Sequence, residues 1–306
     1  MTVYIVRRVL LSVPVLWGVL TATFFAFRLV PGDPVSAMLF GRGTAADRLR
    51  VRQELGLDQP LLMQYWDFVK GAVHFDFGTS IVSRQTVWQE IVVRFPATLQ
   101  LAVAAFVLAT VIGLVAGAIS ALYHRRPLGL GLTALAVLGI SLPGYWVGTM
   151  LALIFGVQLG WLPVAGTGGP NTIILPAVTL AIPISAYVTR LVRVSVLQEV
   201  GADYVRTAHA KGLGAGAVLF QHVLRNALIP VITVLGTTLA SLLGGVVIVE
   251  NVFNWPGLGT LAVSAASSRD FPVIEGLTFV IAVLVIGANL VVDILYALVD
   301  PRIRYP

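Results

Sequence analysis

The sequence predicts an all-α integral membrane protein with six transmembrane helices and a small helical insertion outside the membrane between the first and the second. Three observations carry this expectation. Hydrophobic residues make up 58% of the 306 and charged residues only 11%, against about 45–50% and about 25% in soluble domains, and the mean hydropathy is +0.92. Uncharged runs recur at the length of about 20 residues that a helix rising 1.5 Å per residue needs to cross roughly 30 Å of hydrocarbon. Lys and Arg are confined almost entirely to the segments between those runs.

Taken in order, residues 1–30 hold a basic amino terminus and the first span, Val9 to Phe27. This run follows Arg7-Arg8 and exceeds the roughly 7–15 apolar residues of a cleavable signal peptide, so it reads as a retained anchor. Residues 31–95 form the insertion, with seven basic and seven acidic residues. Asp47 to Leu55 and Leu61 to Val73 read there as short amphipathic helices, separated by the stop Leu57-Asp58-Gln59-Pro60. A small cap outside the membrane is expected. The core, 96–306, opens with the second span at 97–122. The uncharged stretch from Pro127 to Thr189 is too long for one crossing and breaks at Gly160-Trp161-Leu162-Pro163. It therefore yields a third span at 130–157 and a fourth at 173–193. A polar segment, 194–229, precedes the fifth span at 230–250, and the sixth is 274–297.

Lys and Arg in short loops stay on the cytoplasmic side. The amino terminus, the His124-Arg125-Arg126 loop, the stretch from Arg190 to Arg225 and the tail with Arg302 and Arg304 carry 11 of them, and the short loops opposite carry Arg269 alone. Both termini are thus expected inside. Orientation accounts for the net charge of +6 without invoking nucleic acid, since only two of the 20 basic residues are Lys and they form no long run. The absence of cysteine excludes a disulfide, a thiolate nucleophile and the usual structural zinc site. His74, His124, His209 and His222 are scattered with no His-Glu-x-x-His pair, and Gly212, Gly214 and Gly216 lack the Gly-Lys-Ser/Thr of a P-loop. No catalytic residue, metal or cofactor is expected on this chain. Ion-driven carriers bury an ionisable group at mid-span, whereas Arg28, Glu250, Glu275 and Asp293 lie near span ends, as interfacial anchors or helix contacts. Asn289 and Asp293 share a helix face as glue between helices, and the pairs Gly113/Gly117, Gly144/Gly148 and Gly156/Gly160 suit close helix approach.

The most informative segment lies between the fourth and fifth spans. Asp203-Tyr204-Val205-Arg206-Thr207-Ala208-His209-Ala210-Lys211-Gly212 reads as a short helix with an acid in its first turn, a base in its last and Gly as a left-handed stop. So short a helix is marginal alone in water and needs something to pack on. A second amphipathic stretch, Ala217 to Leu228, leads to Pro230. The segment resembles the loop of ABC importer permeases, whose signature is Glu-Ala-Ala-x3-Gly-x9-Ile-x-Leu-Pro. Aligned on Gly212, Arg206 stands in place of Glu, Thr207 and Ala208 in place of the two Ala, His222 and Leu224 in place of Ile and Leu, and Arg225 in place of Pro. These departures are similar to the dipeptide, oligopeptide and nickel branch, which reads Arg-Thr-Ala-x-Ala-Lys-Gly and then His-x-Leu-x-Asn-x-Leu-x-Pro. Further segments in the same order agree with that branch: Pro31-Gly32-Asp33-Pro34, Gly56 to Pro60, Asp76 to Ser80, Phe95 to Leu99, Asn254-Trp255-Pro256-Gly257-Leu258-Gly259 and Asp300-Pro301-Arg302.

The resemblance implies the type I ABC importer permease fold in the cytoplasmic (inner) membrane of a prokaryote, and a role as one subunit of an ATP-driven, binding-protein-dependent importer of di- or oligopeptides. It implies as partners a second, related permease (a homodimer being the alternative), two P-loop ATPase subunits that use ATP and Mg, and an extracytoplasmic substrate-binding protein. The ATPase would be met by Asp203, Tyr204, Arg206, Thr207, Ala208, Ala210, Lys211, Gly212 and Leu213, with Ala208 and Gly212 admitting close approach. Asn254, Trp255, Pro256 and Gly257 are candidates for docking or gating on the outer side, against a plain structural turn. Pro143, Pro176 and Pro183 kink their spans, and Thr179, Ser185, Tyr187 and Thr189 could line the route, although span hydroxyls often bond their own backbone. An ion-coupled carrier or channel and a membrane enzyme are the alternatives from other classes, and cargo is not encoded in any motif.

Overall fold

A computed structural model describes residues 2–28, 35, 44–54, 56–166 and 168–299. The motif Pro31-Gly32-Asp33-Pro34, the side chain of Arg28 and the tail with Asp300-Pro301-Arg302 and Arg304 lie outside the described residues. Among those described, the elements are helical, apart from one isolated bridge between Thr79 and Thr86. Among the described residues five helices are long and apolar enough to cross a membrane, or six if one bent pair is a single span. Contacts divide the chain into one unit of residues 1–98 and 256–290 and another of 99–255 and 291–306.

In the first unit, α1 (Thr2–Arg28) is the first span, α2 (Ala45–Glu54) and α3 (Leu61–Val73) are the two expected short helices, and residues 56–59 turn between them. Gly71 is needed for the exit from α3, because a Cβ there would lie 2.3 Å from the Asp76 carbonyl oxygen. The helix carrying the second span, α4 (Val87–Leu122), is 36 residues long and begins ten residues before the expected 97. Pro96 lies inside it and is no boundary. The residues before Pro96 extend the helix as an amphipathic turn, with Val87 and Ile91 buried against Leu258, Leu261 and Leu277. Asp270 is buried and accepts from the Ser80 hydroxyl at 2.5 Å and from the Ile81 amide at 3.3 Å, tying residues 80–82 to the turn before the sixth span.

In the second unit the third span, expected over 130–157 with a kink at Pro143, is broken there into two helices. It is α5 (Pro127–Ser141) and α6 (Gly144–Leu151), the latter continued by a π-helical stretch Ala152–Gln158, and the two are bent by 104°. Pro143 has no N–H to continue the ladder, and Leu142 before it is extended at φ −82° and ψ 131°, as a residue preceding proline prefers. A 3-10 turn, Pro170–Ile173, opens α7 (Ile174–Val200), which runs seven residues past the expected end at 193. Within α7 and its leading turn 61% of the apolar window is buried, against 17–28% in the other long spans, so the fourth span is the hub of this unit. Gly113 and Gly117 of α4 let it approach so closely that an added Cβ would sit 2.6 Å from Val188 and from Val192. Gly148 meets Thr179 and Phe253, whereas Gly144 and Gly160 have open space beside them and serve no close approach.

The segment beyond α7 contains α8 (Asp203–Ala210) and then, from Ala215, a short turn and a π-helical stretch Val218–Val223 that feed α9 (Leu224–Gly245). No loop separates this stretch from the fifth span, so the expected boundary at 229/230 falls inside a helix, with Pro230 tolerated near its start. The expected fifth span also divides near its end, where Val246 separates α9 from α10 (Val247–Val252). Glu250 is fully buried in α10, as the helix-contact reading expects. Two further helices follow among the described residues: α11 (Leu258–Ser268), in the first unit, and α12 (Phe271–Val299), whose residues to 290 belong to that unit. At 11 residues α11 is too short to cross and was not anticipated from the sequence. Asn289 donates to the Val285 carbonyl one turn back at 2.9 Å.

Candidate functional site

The short helix α8 owes its limits to local chemistry. Asp203 supplies the negative charge in its first turn, and Gly212 stops it in the left-handed conformation at φ +82°. The amides of Lys211, Gly212 and Leu213 turn back to the carbonyls of Thr207, His209 and Ala208 at 3.0, 2.9 and 3.3 Å, closing the helix end. No atom lies within 4 Å of a Cβ built at Gly212, so glycine is required there by backbone conformation and not by space.

Its two faces differ sharply. Val205 and Ala208 are buried and join one apolar cluster with Val192 and Val196 of α7 and Val223 and Ala227 from the entry to the fifth span. Ala208, 7% exposed, therefore serves contact with its own bundle, and the expectation that it admits a partner is corrected. Asp203, Tyr204, Arg206, Thr207, His209, Ala210, Lys211, Gly212 and Leu213 are exposed. The Arg206–Asp203 pair at 3.7 Å stands in solvent on both sides and adds little stability. Tyr204 donates its hydroxyl to the Glu199 carboxylate at the end of α7 and also bonds Asn226 in α9. Burial and then the Glu199 bond push its phenol above the ordinary value, while the Asn226 bond acts in the opposite direction. The helix is thus attached to both of the spans it joins, through a greasy underside and one phenol.

The sequence reading missed a second polar feature of the same unit. Arg193, one turn beyond Thr189 on α7, donates to the Ser120 carbonyl at 2.6 Å, the Ser120 hydroxyl at 2.7 Å and the Gly129 carbonyl at 3.4 Å. It pins the hairpin between α4 and α5. A Cβ at Gly129 would lie 2.2 Å from the Tyr123 carbonyl oxygen, so this packing also depends on glycine. The sequence does carry the signal: Thr189, Arg193 and Val196 fall at i, i+4 and i+7 on the buried stripe of α7, a register that a count of basic residues does not use.

The candidates for lining a route separate. The Thr179 and Ser185 hydroxyls donate to their own helix at Leu175 and Ile182, at 2.8 and 3.0 Å, and both residues are buried, as is Thr189. Tyr187 instead is exposed in a cleft of about 280 Å³ between α7 and α9, opposite Thr237, Thr238 and Ser241. In the segment Asn254-Trp255-Pro256-Gly257, Asn254 takes the left-handed conformation at φ +47° that ends α10, and the Trp255 amide bonds the Glu250 carbonyl at 2.8 Å. Trp255 is buried, which leaves Asn254 on its side of the turn and Pro256 on the other as the exposed residues. Gly257 precedes α11 and accepts from the Leu261 amide at 3.2 Å. Among the described residues no group of three or more His, Cys, Asp or Glu is placed to hold a metal ion.

Residues 109–305 match the family described as binding-protein-dependent transport system inner membrane component, and residues 1–102 match its N-terminal domain. The chain is 42% identical to the oligopeptide transport system permease protein AppB of Bacillus subtilis (strain 168), covering 100% of both chains. It is 43% identical to the glutathione transport system permease protein GsiC of Escherichia coli (strain K12), covering 99% of each. Among solved structures it resembles a chain of the inward-facing MetNI methionine ABC transporter, with a TM-score of 0.59, 18% identity and coverage of 69% of this chain and 97% of that one. It also resembles a chain of an amino acid ABC transporter crystallised with histidines, with a TM-score of 0.54, 19% identity and coverage of 68% and 94%. These two likenesses show the fold.

Proposed function

The chain belongs to the family of binding-protein-dependent transport system inner membrane components, and we propose that it forms half of the translocation pathway of an ATP-driven importer of di- or oligopeptides. A second, related permease supplies the other half, because six spans are too few to enclose a hydrated route for a peptide while satisfying every backbone group in lipid. Two cytoplasmic ATPase subunits hydrolyse ATP with Mg, an extracytoplasmic binding protein delivers the cargo, and the chain itself catalyses nothing. Both termini face the cytoplasm, on the count of basic residues in short loops. The peptide class rests on the oligopeptide and glutathione permeases to which the chain is similar over its whole length.

One observation carries the mechanism: α8 keeps its apolar face on the ends of two spans and turns the other face outward. Closure of an ATPase dimer can bias the membrane helices only through contacts that differ between its two states. Arg206, Thr207, Ala210 and Lys211 are the groups available for those contacts, and Tyr204 passes the displacement to α7 through Glu199 and to α9 through Asn226. The cleft between those spans, with Tyr187 and the Thr237, Thr238 and Ser241 hydroxyls, is the wall such a displacement would reshape. Asn254 and Pro256 are the exposed candidates for docking or gating at the opposite end. The test is reconstitution with the partner subunits. Peptide uptake should require both the ATPase and the binding protein, and mass spectrometry of the co-purified binding protein should find a peptide. Uptake driven by a proton gradient with this chain alone would favour a carrier.

A further inference from the structure

The helix α3, expected in a small cap outside the membrane, packs along one face against the first span. The Tyr65 hydroxyl hydrogen-bonds the Thr21 hydroxyl at 2.8 Å, and Phe24 of α1 lies against the Tyr65 and Phe68 rings at centroid distances of 5.2 and 5.7 Å. Ala72, one turn further, is buried in one cluster with Leu20, against which Leu16 also packs. The apolar stretch of α1 is Val6–Ala26. At 1.5 Å per residue Thr21 lies roughly 7–8 Å inside its end, and Leu16 and Leu20 lie no shallower. From Tyr65 to Ala72 one face of α3 therefore stays against the C-terminal part of the first span.

At 3.6 residues per turn the remaining surface of α3 divides into two flanks. On one side Met63, Asp67, Gly71 and His74 follow one another, a flank that is polar beyond the exposed Met63. On the other stand Leu62, Trp66 and Val73, exposed by 81, 57 and 69%, with the Lys70 ammonium 5.7 Å from the centre of the Trp66 ring. An apolar flank bearing a Trp and a Lys whose stem can lie along it while its charge reaches water is the pattern of a helix in the lipid headgroup boundary. It adjoins a span of which only 17% of the apolar window is buried, and whose Val13, Trp17 and Phe25 are themselves exposed.

We propose that α3 is an interfacial membrane helix, with Leu62, Trp66 and Val73 in the acyl and headgroup region of the bilayer beside the C-terminal end of the first span, and Asp67 facing water. The occupant of this flank is lipid, because the flank continues the surface that α1 already presents to the hydrocarbon.

The chain has no cysteine, so single-site labelling is direct. Leu62→Cys, Trp66→Cys and Asp67→Cys, each carrying a nitrobenzoxadiazole label, would be reconstituted as full chains in phosphatidylcholine and phosphatidylglycerol vesicles with or without lipids spin-labelled near the headgroup. The labels at 62 and 66 should emit to the blue of the label at 67 and be quenched by the spin-labelled lipid, and iodide should quench the label at 67 alone. Three results would overturn the proposal: iodide quenching at all three positions; no lipid quenching at 62 and 66; or shielding of 62 and 66 from iodide that arises only when the binding protein is added, which would make the flank a protein-docking surface. Position 67 serves as the internal control for correct insertion.

Discussion

Replacing Gly212 by Val tests how α8 is held. Gly212 sits at φ +82°, in the left-handed region, with no atom within 4 Å of an added Cβ. The penalty is therefore wholly conformational. It is about 1–2 kcal/mol for an ordinary L-residue and at the upper end for a β-branched one. Taken as about 2 kcal/mol, it lowers the equilibrium constant for closing the helix end about 30-fold, since 1.4 kcal/mol is a factor of ten. The three amides that close that end belong to exposed residues outside the spans, so insertion and expression should be unaffected. In vesicles holding the assembled importer, Gly212→Val should keep ATP hydrolysis and lose uptake by roughly tenfold or more. Gly212→Asn should remain close to the parent, because Asn tolerates the left-handed region. Gly214 provides the matched control: it too has open space beside it, but its φ is −65°, so Gly214→Val should transport normally. Normal uptake by Gly212→Val, or equal loss in Gly214→Val, would refute the reasoning.

Four other outcomes follow from the same contacts. Arg193→Leu leaves the Ser120 and Gly129 acceptors without their charged donor and should lower stability by about 1–3 kcal/mol, read as a fall in the melting temperature of the purified protein. Gly129→Ala forces a Cβ to 2.2 Å from a backbone oxygen and should reduce the yield of folded protein more than Arg193→Leu does. Gly236→Ala would place its Cβ 2.4 Å from a Val292 methyl but 3.3 Å from the Val292 Cβ, so Val292→Ala should restore the stability lost, in a double-mutant cycle. The Tyr204 phenol is held protonated, with its pKa raised above the ordinary 10.0. Folding favours the neutral form, so the contribution is complete below that value and is lost as pH rises through the raised one. Protection of α8 from proteolysis should fall there in the parent protein and show no such step in Tyr204→Phe.

The spans were legible because hydrocarbon imposes a length on every apolar run, and α8 because Asp203 and Gly212 mark its two ends by the helix dipole and the left-handed stop. Pro143 shows where that reading ran out. Its presence within the third span was noted, but a proline can bend a helix slightly or break it, and only the packing of α5 and α6 determines the 104° turn. Pro96 and Pro230 err the other way, as prolines that helices accommodate. The helix α11 escapes because an 11-residue segment of small, apolar and hydroxyl residues matches neither a crossing nor an amphipathic surface helix. Within the site the residue types were readable and their directions were not. Ala208 points into the bundle and Ala210 two residues on points out, a difference set by how α8 lies on Val192, Val196 and Val223.

That difference supplies the most direct test of the proposed coupling. A photoreactive amino acid at position 210 of the assembled transporter should crosslink to an ATPase subunit on illumination, with a yield that changes when ATP is added, and one at position 208 should crosslink within the chain. Failure of position 210 to reach the ATPase in a complex that hydrolyses ATP and transports peptide would contradict the account.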